Sequence, residues 1–300
     1  MTLAARHEAP GETMNDLSHT AFALPDEQDR ILPGQFKALA ALIQAETGIN
    51  IKASKQTMLE GRLRRRSRAA GLSSVREYCD MVLGHSVDPA EIEHLINAVT
   101  TNKTDFFREP AHFDYLVDTV LPEYASDHCR MIRCWSAACS TGAEPYTLAM
   151  LLDDFAARNR GFDYRILATD LDTEVLATAV KGIYPREMVD PVPPALRRRY
   201  VLEARDPKRH DVRIAPELRR KVAFGRLNLM DSGYALDEQM HIIMCRNVLI
   251  YFDKATQEQV VGRLCDRLMP GGYLFLGHSE SITGFRHSLT QVAGTVFRKL

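Results

Sequence analysis

Apolar side chains recur at helical spacing from Gln35 onward: Phe36, Leu39, Ala40, Leu42 and Ile43 share one face before Gly48, a residue suited to stop a helix. The same period predicts a second helix from about Ser54 to Ala70, closed by Gly71, and a third over Val75–Leu83. A fourth begins after Asp88-Pro89 and carries Ile92, Leu95, Ile96 and Val99. Residues 1–30 mix Pro, Gly, Asp, Glu and His without a period and read as a flexible lead-in. An all-helical unit over 31–105 is therefore expected.

The pattern then changes. Short β-prone runs appear at Met131–Ala137, Tyr164–Thr169, Val222–Gly225, His241–Cys245 and Tyr273–Gly277. Helical stretches at Pro145–Arg158, Thr173–Lys181 and Lys254–Met269 separate several of them. This alternation predicts an α/β domain over 106–300 with a parallel sheet covered on both faces. Prolines 185, 191, 193, 194, 207 and 216 interrupt it between Gly182 and Arg220. An insertion over about 183–220 is expected there, with Tyr200–Leu202 and Val212–Ile214 as a small antiparallel hairpin.

Composition narrows the class more than the function. With 38 basic and 39 acidic residues the net charge is −1, so no global field draws in nucleic acid or a membrane, and local clusters must carry any electrostatic recognition. The six cysteines form no C-x-x-C pair, which points to a reducing, cytoplasmic setting. No apolar run has the length of a signal peptide or a membrane span.

Candidate chemistry gathers at the ends of the β-prone runs, where an open α/β sheet binds ligands. Met131–Ala137 leads into Cys139-Ser-Thr-Gly-Ala-Glu-Pro-Tyr146: small residues for a tight turn, then Glu144 and Pro145 in the first turn of a helix. Alone, this turn is equally an ordinary strand–helix junction whose Glu suits the helix dipole. The next run ends at Asp170, placed to accept hydrogen bonds from ribose hydroxyls, and Asp172 caps the following helix. No G-x-G-x-x-G and no Walker lysine loop is present. A dinucleotide or a triphosphate thus has no cradle, and an adenosine-containing cation fits better. Farther on, an apolar run ends in Arg246-Asn247, with Tyr251 four residues after Asn247; Tyr251 could equally be a core aromatic.

Five stretches in this order carry a family resemblance: Thr100-Thr-Asn-Lys-Thr-Asp-Phe-Phe-Arg-Glu109, Trp135–Tyr146, Ala168-Thr-Asp-Leu-Asp172, Cys245–Asp253 and Gly277-His-Ser-Glu280. Together they resemble the chemotaxis receptor glutamate methyltransferases, the CheR family, over Gln35 to Leu300. The resemblance implies an N-terminal helical domain, a Rossmann-like methyltransferase domain and a small inserted β-subdomain. It implies methyl transfer from S-adenosylmethionine to glutamate carboxylates of transmembrane chemoreceptors, giving methyl esters and S-adenosylhomocysteine. By motif position it implies cofactor contacts from Asn102, Thr104, Arg108, Ala137, Glu144, Asp170, Asn228, Leu229, Cys245, Arg246 and Asn247.

Such a transfer needs no general base, because a glutamate with a reference pKa of about 4.3 is already ionised near neutrality. No Ser-His-Asp set and no metal-ligand spacing stands out, and none is expected. Arg108 is assigned to orient the acceptor carboxylate, with contact to the carboxylate of the cofactor's methionine moiety as its alternative duty and a domain-linking ion pair with Glu109 or a nearby acid as a purely structural one. Tyr251 is assigned to hold the incoming glutamate or lie over the methyl group. Arg62, Arg64, Arg65, Arg66 and Arg68 put five arginines within seven residues of the second helix. Without aromatic stacking platforms this face suits an acidic receptor helix better than nucleic acid, and Arg62, Arg65, Arg66 and Arg68 are assigned to substrate binding. The charged turn Glu203–Asp211 lacks the glycines associated with members that bind a receptor C-terminal peptide, so tethering there stays open. A monomer is expected. The alternatives are a non-catalytic adaptor and a methyltransferase acting on a small carboxylic acid or RNA.

Overall fold

The computed structural model describes residues 29–127, 129–206 and 208–300. Residues 1–28 of the expected flexible lead-in lie outside them. Its last two residues, Asp29 and Arg30, are described, and Asp29 accepts hydrogen bonds from Arg64 Nε at 2.6 Å and Val75 N–H at 2.9 Å.

Four helices open the described chain: α1 (Pro33–Thr47), α2 (Gln56–Ala69), α3 (Val75–Val82) and α4 (Pro89–Val99). Ser74 Oγ accepts the Glu77 N–H to start α3, and Asp88 caps α4 through the Ala90 N–H, satisfying donors that a helix start leaves without partners. The apolar stripes meet in one core of Leu39, Ile43, Leu59, Leu63, Tyr78 and Leu95, which supplies the stability that helices this short lack alone. Gly48 ends α1 at φ +74°, and a Cβ there would lie 2.4 Å from the Met230 sulfur. That close approach seats the helical unit on the second domain, where Asn50 N–H donates to the Tyr251 carbonyl at 2.8 Å.

Between the two units runs a helical segment that the sequence pattern did not predict: α5 (Pro110–Tyr115), a π-turn at Leu116–Val120 and α6 (Leu121–Ser126). Proline 122 lacks the N–H that would close an ordinary turn on Asp118, and the wide turn, with Leu121 N–H on the Leu116 carbonyl, accommodates it. The α/β domain follows with β1 (Met131–Ser136), α7 (Ala143–Arg158), β2 (Asp163–Asp170) and α8 (Thr173–Lys181). After the insertion come β6 (Val222–Arg226), β7 (Met240–Cys245), α11 (Lys254–Arg267), β8 (Leu268–Leu276), β9 (Leu289–Ala293) and β10 (Val296–Lys299). The sheet order is β6-β2-β1-β7-β8-β10-β9.

The domain is a Rossmann-like α/β fold with one correction. The sheet is mixed, not all parallel: β10 pairs antiparallel with both β8 and β9. That C-terminal hairpin has no intervening helix, so alternation could not reveal it. Another shift lies at α11, which stops at Arg267, two residues before the expected end, and β8 begins at once. The Pro270-Gly271-Gly272 turn is instead an irregularity inside β8, where the register with β7 jumps from Met240↔Leu268 to Ile242↔Tyr273. Every residue of β7 is buried. Ile242 and Met244 enter one core with Leu148 of α7, while Ile243 and Cys245 enter the other with Val260 and Leu264 of α11.

The insertion is a three-stranded antiparallel sheet in the order β3-β5-β4. The expected hairpin is present as β4 (Val201–Glu203) and β5 (Asp211–Ile214), and β3 (Ile183–Pro185) adds a third strand. Two short helices, α9 (Pro194–Tyr200) and α10 (Pro216–Arg219), each start on a proline.

Candidate active site

The C-terminal ends of β1, β2 and β7 converge on a cleft of about 940 Å³, counting the part open to solvent. After β1 the chain turns through Ser140, at φ +50°, and Gly142, at φ +93°. A Cβ on Gly142 would lie 2.9 Å from the Tyr184 hydroxyl oxygen, so glycine permits both the turn and the close packing. Asp170, at the end of β2, accepts the Ser140 N–H on Oδ2 at 2.7 Å and the Asp172 N–H on Oδ1 at 3.1 Å. Burial raises its pKa against those amide bonds. The turn amide that would otherwise be offered to a phosphate is thus already given to a carboxylate.

At the end of β7, Arg246 is the centre of a buried ion network; its side chain is 2% exposed. One guanidinium nitrogen donates to Glu144 Oε2 at 2.9 Å, the other to Glu109 Oε2 at 3.0 Å and to the Arg108 carbonyl. Glu144 also accepts the Ser136 hydroxyl at 2.7 Å. Asn247, at φ +59°, donates its side-chain amide to Glu109 Oε1 at 2.9 Å, and its N–H goes to Glu280. Glu280 lies beneath this turn and also takes the Gly277 N–H at 2.6 Å; burial raises its pKa despite several backbone donors.

The facing wall is the linker Thr100–Glu109. Asn102 Nδ2 donates to Asp172 Oδ2 at 2.6 Å, and its carbonyl accepts the Ser140 hydroxyl at 2.9 Å, which ties the linker to the start of α8 and to the β1 turn. Phe107 and Glu109 both have positive φ, +54° and +58°, on either side of Arg108. Among the described residues, the four non-glycine positions of positive φ are Phe107, Glu109, Ser140 and Asn247, and all four border the cleft or flank a residue that lines it. Left-handed backbone at such residues costs about 1–3 kcal/mol each and persists where surrounding contacts over-determine it.

Ten of the eleven sequence-predicted cofactor residues line this cleft: Asn102, Thr104, Arg108, Ala137, Glu144, Asp170, Asn228, Leu229, Arg246 and Asn247. Cys245 does not; its side chain is buried in the sheet core and burial holds its thiol far above the usual range. Tyr251 lines the cleft from a 3-10 turn at Leu249–Tyr251. Arg108 donates to the Lys103 carbonyl at 2.9 Å, and the ion pair with Glu109 weighed for it is not formed, because Glu109 is committed to Arg246 and Asn247. The Asn228 side chain donates to the Glu46 carbonyl at 2.6 Å and so joins the two domains. Sequence reading assigned no site role to Glu109 or Glu280, although each closes one of the five stretches singled out.

The arginines of α2 stand outside the cleft and divide in two. Arg62 donates to the carbonyls of Val99 and Thr100, Arg64 pairs with Asp29, and Arg66 grips Glu91 with Nε at 2.7 Å from Oε1. Arg65 and Arg68 are exposed and have no hydrogen-bond partner among the described residues.

Comparison with known proteins bears on what this arrangement does. The family described as CheR methyltransferase, SAM binding domain, matches residues 102–298, and the CheR methyltransferase all-alpha domain matches residues 34–100. The chain belongs to the CheR methyltransferase family. Chemotaxis protein methyltransferase 2 of Pseudomonas aeruginosa is 38% identical over 84% of this chain and 88% of its own length. The chemotaxis protein methyltransferase of Klebsiella aerogenes is 38% identical over 92% of this chain and 91% of its own. That of Escherichia coli is 37% identical, with 87% and 89% covered.

This CheR family member is accordingly an S-adenosylmethionine-dependent methyltransferase of chemotaxis. The cleft's donor set fits that cofactor. A carboxylate accepts about four hydrogen bonds, so Asp170 retains acceptor capacity for a ribose diol beyond its two amide bonds. Arg246, which lines the cleft, has its Nε buried without a partner among the described residues. Among the described residues no helix is long and apolar enough to cross a membrane.

Proposed function

We propose that the chain methylates glutamate side chains on the cytoplasmic helical region of transmembrane chemoreceptors, forming methyl esters in sensory adaptation. One observation carries the choice of a carboxylate acceptor. Among the described residues the cleft is lined by no histidine; of its three acids Glu144 and Asp170 are already hydrogen-bonded and Asp105 is exposed to solvent, while Arg108 adds a guanidinium to the lining. Such a site can orient an acceptor that arrives ionised; it is poorly equipped to deprotonate an alcohol or an amine.

S-Adenosylmethionine supplies an electrophilic methyl on a sulfonium and leaves as S-adenosylhomocysteine. The residues of this chain need to hold the acceptor oxygen in line and exclude water, which lowers a barrier of this kind by roughly 7–11 kcal/mol. Arg108 orients the carboxylate through a charge-assisted hydrogen bond, and the Tyr251 hydroxyl steadies it from the opposite turn. Asn102, Thr104, Ala137, Asp170, Asn228, Leu229 and Asn247 hold the cofactor, and the Arg246–Glu144 pair fixes the end nearest Arg108. Tyr251, being anchored through its own carbonyl to Asn50, also places the cleft beside the helical unit. There Arg65 and Arg68, exposed on α2, dock an acidic receptor helix. The names of the relatives, all chemotaxis methyltransferases, support the receptor as acceptor.

The test is transfer of labelled methyl from S-adenosylmethionine to membranes bearing chemoreceptors. The expected product releases its label as methanol in mild alkali, as a carboxyl ester does. Alkali-stable label, or label incorporated equally without receptor, would refute the assignment.

A further inference from the structure

Beside the ion network, three side chains from two separated segments come together: Glu109, His112 and His278, whose nearest ligand atoms all lie within 4.8 Å of one another. Their hydrogen bonds define what they can bind. Thr295 Oγ1 donates its proton to the Leu276 carbonyl at 2.7 Å, so toward His112 Nε2, at 3.0 Å, it has only lone pairs to offer. His112 therefore carries its proton on Nε2, and its Nδ1 presents a lone pair. That Nδ1 is buried and has no partner among the described residues, in a residue 3% exposed. It faces Glu109 Oε2 at 3.5 Å. An imidazole lone pair and a carboxylate oxygen confront each other there, and nothing on the protein lies between them. The ring of His278 closes the third side, with its centroid 4.8 Å from that of His112.

We propose that Glu109, His112 and His278 form a site for a borderline transition-metal ion, Zn²⁺ above all, and that occupying it weakens cofactor binding. Two imidazoles and one carboxylate are a ligand set suited to zinc, with a fourth position left to water. Its outer partner is in place, since the Nε2–H of His112 already donates to a hydroxyl, as metal-bound imidazoles do. His278 is exposed, on the solvent side of the cluster. No spacing motif betrays the site, because His278 lies far along the chain from Glu109 and His112.

The consequence follows from the other duties of Glu109. Its two oxygens hold Arg246 at 3.0 Å and Asn247 at 2.9 Å, both of which line the cofactor cleft. A metal bond to this carboxylate draws electron density and geometry away from both, and the guanidinium of Arg246 is left facing a cation. Metal and cofactor thus oppose each other, and by linkage each weakens the other by the same factor.

The experiment uses the full chain, stripped with a chelator and titrated with zinc chloride by calorimetry in a non-coordinating buffer. Cobalt(II) serves as a spectroscopic substitute. Wild type should bind one Zn²⁺ per chain, and cobalt should give the visible bands of an imidazole-bound ion. His278→Ala, at an exposed position, should keep its melting temperature, bind at least about tenfold more weakly and lose the bands. S-Adenosylhomocysteine affinity should fall about fivefold or more when zinc saturates wild type, and stay unchanged in His278→Ala. Absence of binding to wild type, or equal zinc affinity in the variant, would overturn the site. Equal cofactor affinity with and without zinc would overturn the coupling.

Discussion

Along the strand ends of the cleft, each charged group is held by several partners: Arg246 by two carboxylates and a carbonyl, Glu280 by backbone amides, Asp170 by the amides of the turn it faces. At Arg108 on the linker the arrangement is sparser. Arg108 has a single carbonyl partner, and the backbone around it alternates into the left-handed region. One wall is fixed by polar satisfaction in a buried setting, the other carries a side chain held by one hydrogen bond between two left-handed residues. The contrast suits a transfer reaction in which the cofactor needs a rigid seat and the acceptor needs a guide that can follow it.

The largest test is to remove the ion at the centre of the rigid wall. Arg246→Ala removes the buried cation and leaves the partly buried carboxylates of Glu109 and Glu144 without a counter-charge, and breaking such a network costs about 3–5 kcal/mol. Chemical denaturation should record that loss, and calorimetry should show S-adenosylhomocysteine binding abolished. A variant less than about 1 kcal/mol weaker than wild type would mean that the strand wall is not organised by this residue.

Arg108→Ala probes the opposite wall, with the opposite signature. Stability should be unchanged, since a single hydrogen bond to the Lys103 carbonyl is lost from a partly exposed side chain. Turnover on receptor membranes should fall about 10²-fold, the scale of losing one positioned donor. Tyr251→Phe should cost roughly tenfold, near the worth of a neutral hydrogen bond. Normal rates in both variants would remove Arg108 and Tyr251 from the chemistry.

The same division runs through α2. Arg66→Glu sets a second negative charge against Glu91 and should destabilise the helical unit by about 1–3 kcal/mol. Reversing Arg65 and Arg68 together should leave stability intact and raise KM for receptor about tenfold at low salt, the effect fading as salt screens it. Unchanged KM at low ionic strength would reject the docking role.

These pairs also mark what the sequence could and could not reveal. Helical period, with the glycine stops at Gly48 and Gly71 and the Asp88-Pro89 start, located α1 to α4, and strand–helix alternation located the sheet and the turn that bears Ser140 and Gly142. Both signals are local. The β9–β10 hairpin escaped because it lacks a helix to alternate with, and the segment Pro110–Ser126 because Pro122 argues against a helix unless a π-turn intervenes. Of the five arginines that look alike along α2, three are taken by partners at Asp29, Glu91 and the end of α4. Nothing in their spacing separates these three from Arg65 and Arg68, since the partners arrive from other elements. Glu109 was hidden for the same reason: its worth comes from Arg246 and Asn247, more than a hundred positions away.

A last and smaller effect asks whether the rigid wall depends on pH. His241 lies on β7, the strand that delivers Arg246; its Nδ1 accepts the Arg133 N–H at 3.1 Å and its Nε2 meets the Cys129 sulfur at 3.4 Å. Burial, helped by the charge of Arg133, lowers its pKa to about 4. An unfolded histidine titrates near 6.5, so between these values the unfolded chain binds the extra proton. Stability from this residue is fully present above about pH 6.5 and is lost as pH falls toward 4, at up to about 1.4 kcal/mol per unit. His241→Asn keeps an acceptor for Arg133 without a titrating ring. Whatever its effect at pH 7.5, the wild-type advantage should shrink by about 1.4 kcal/mol by pH 5.5, measured by denaturation at both pH values. A difference that stays constant with pH would place the acid sensitivity elsewhere and leave β7 a wall whose rigidity owes nothing to a neutral imidazole.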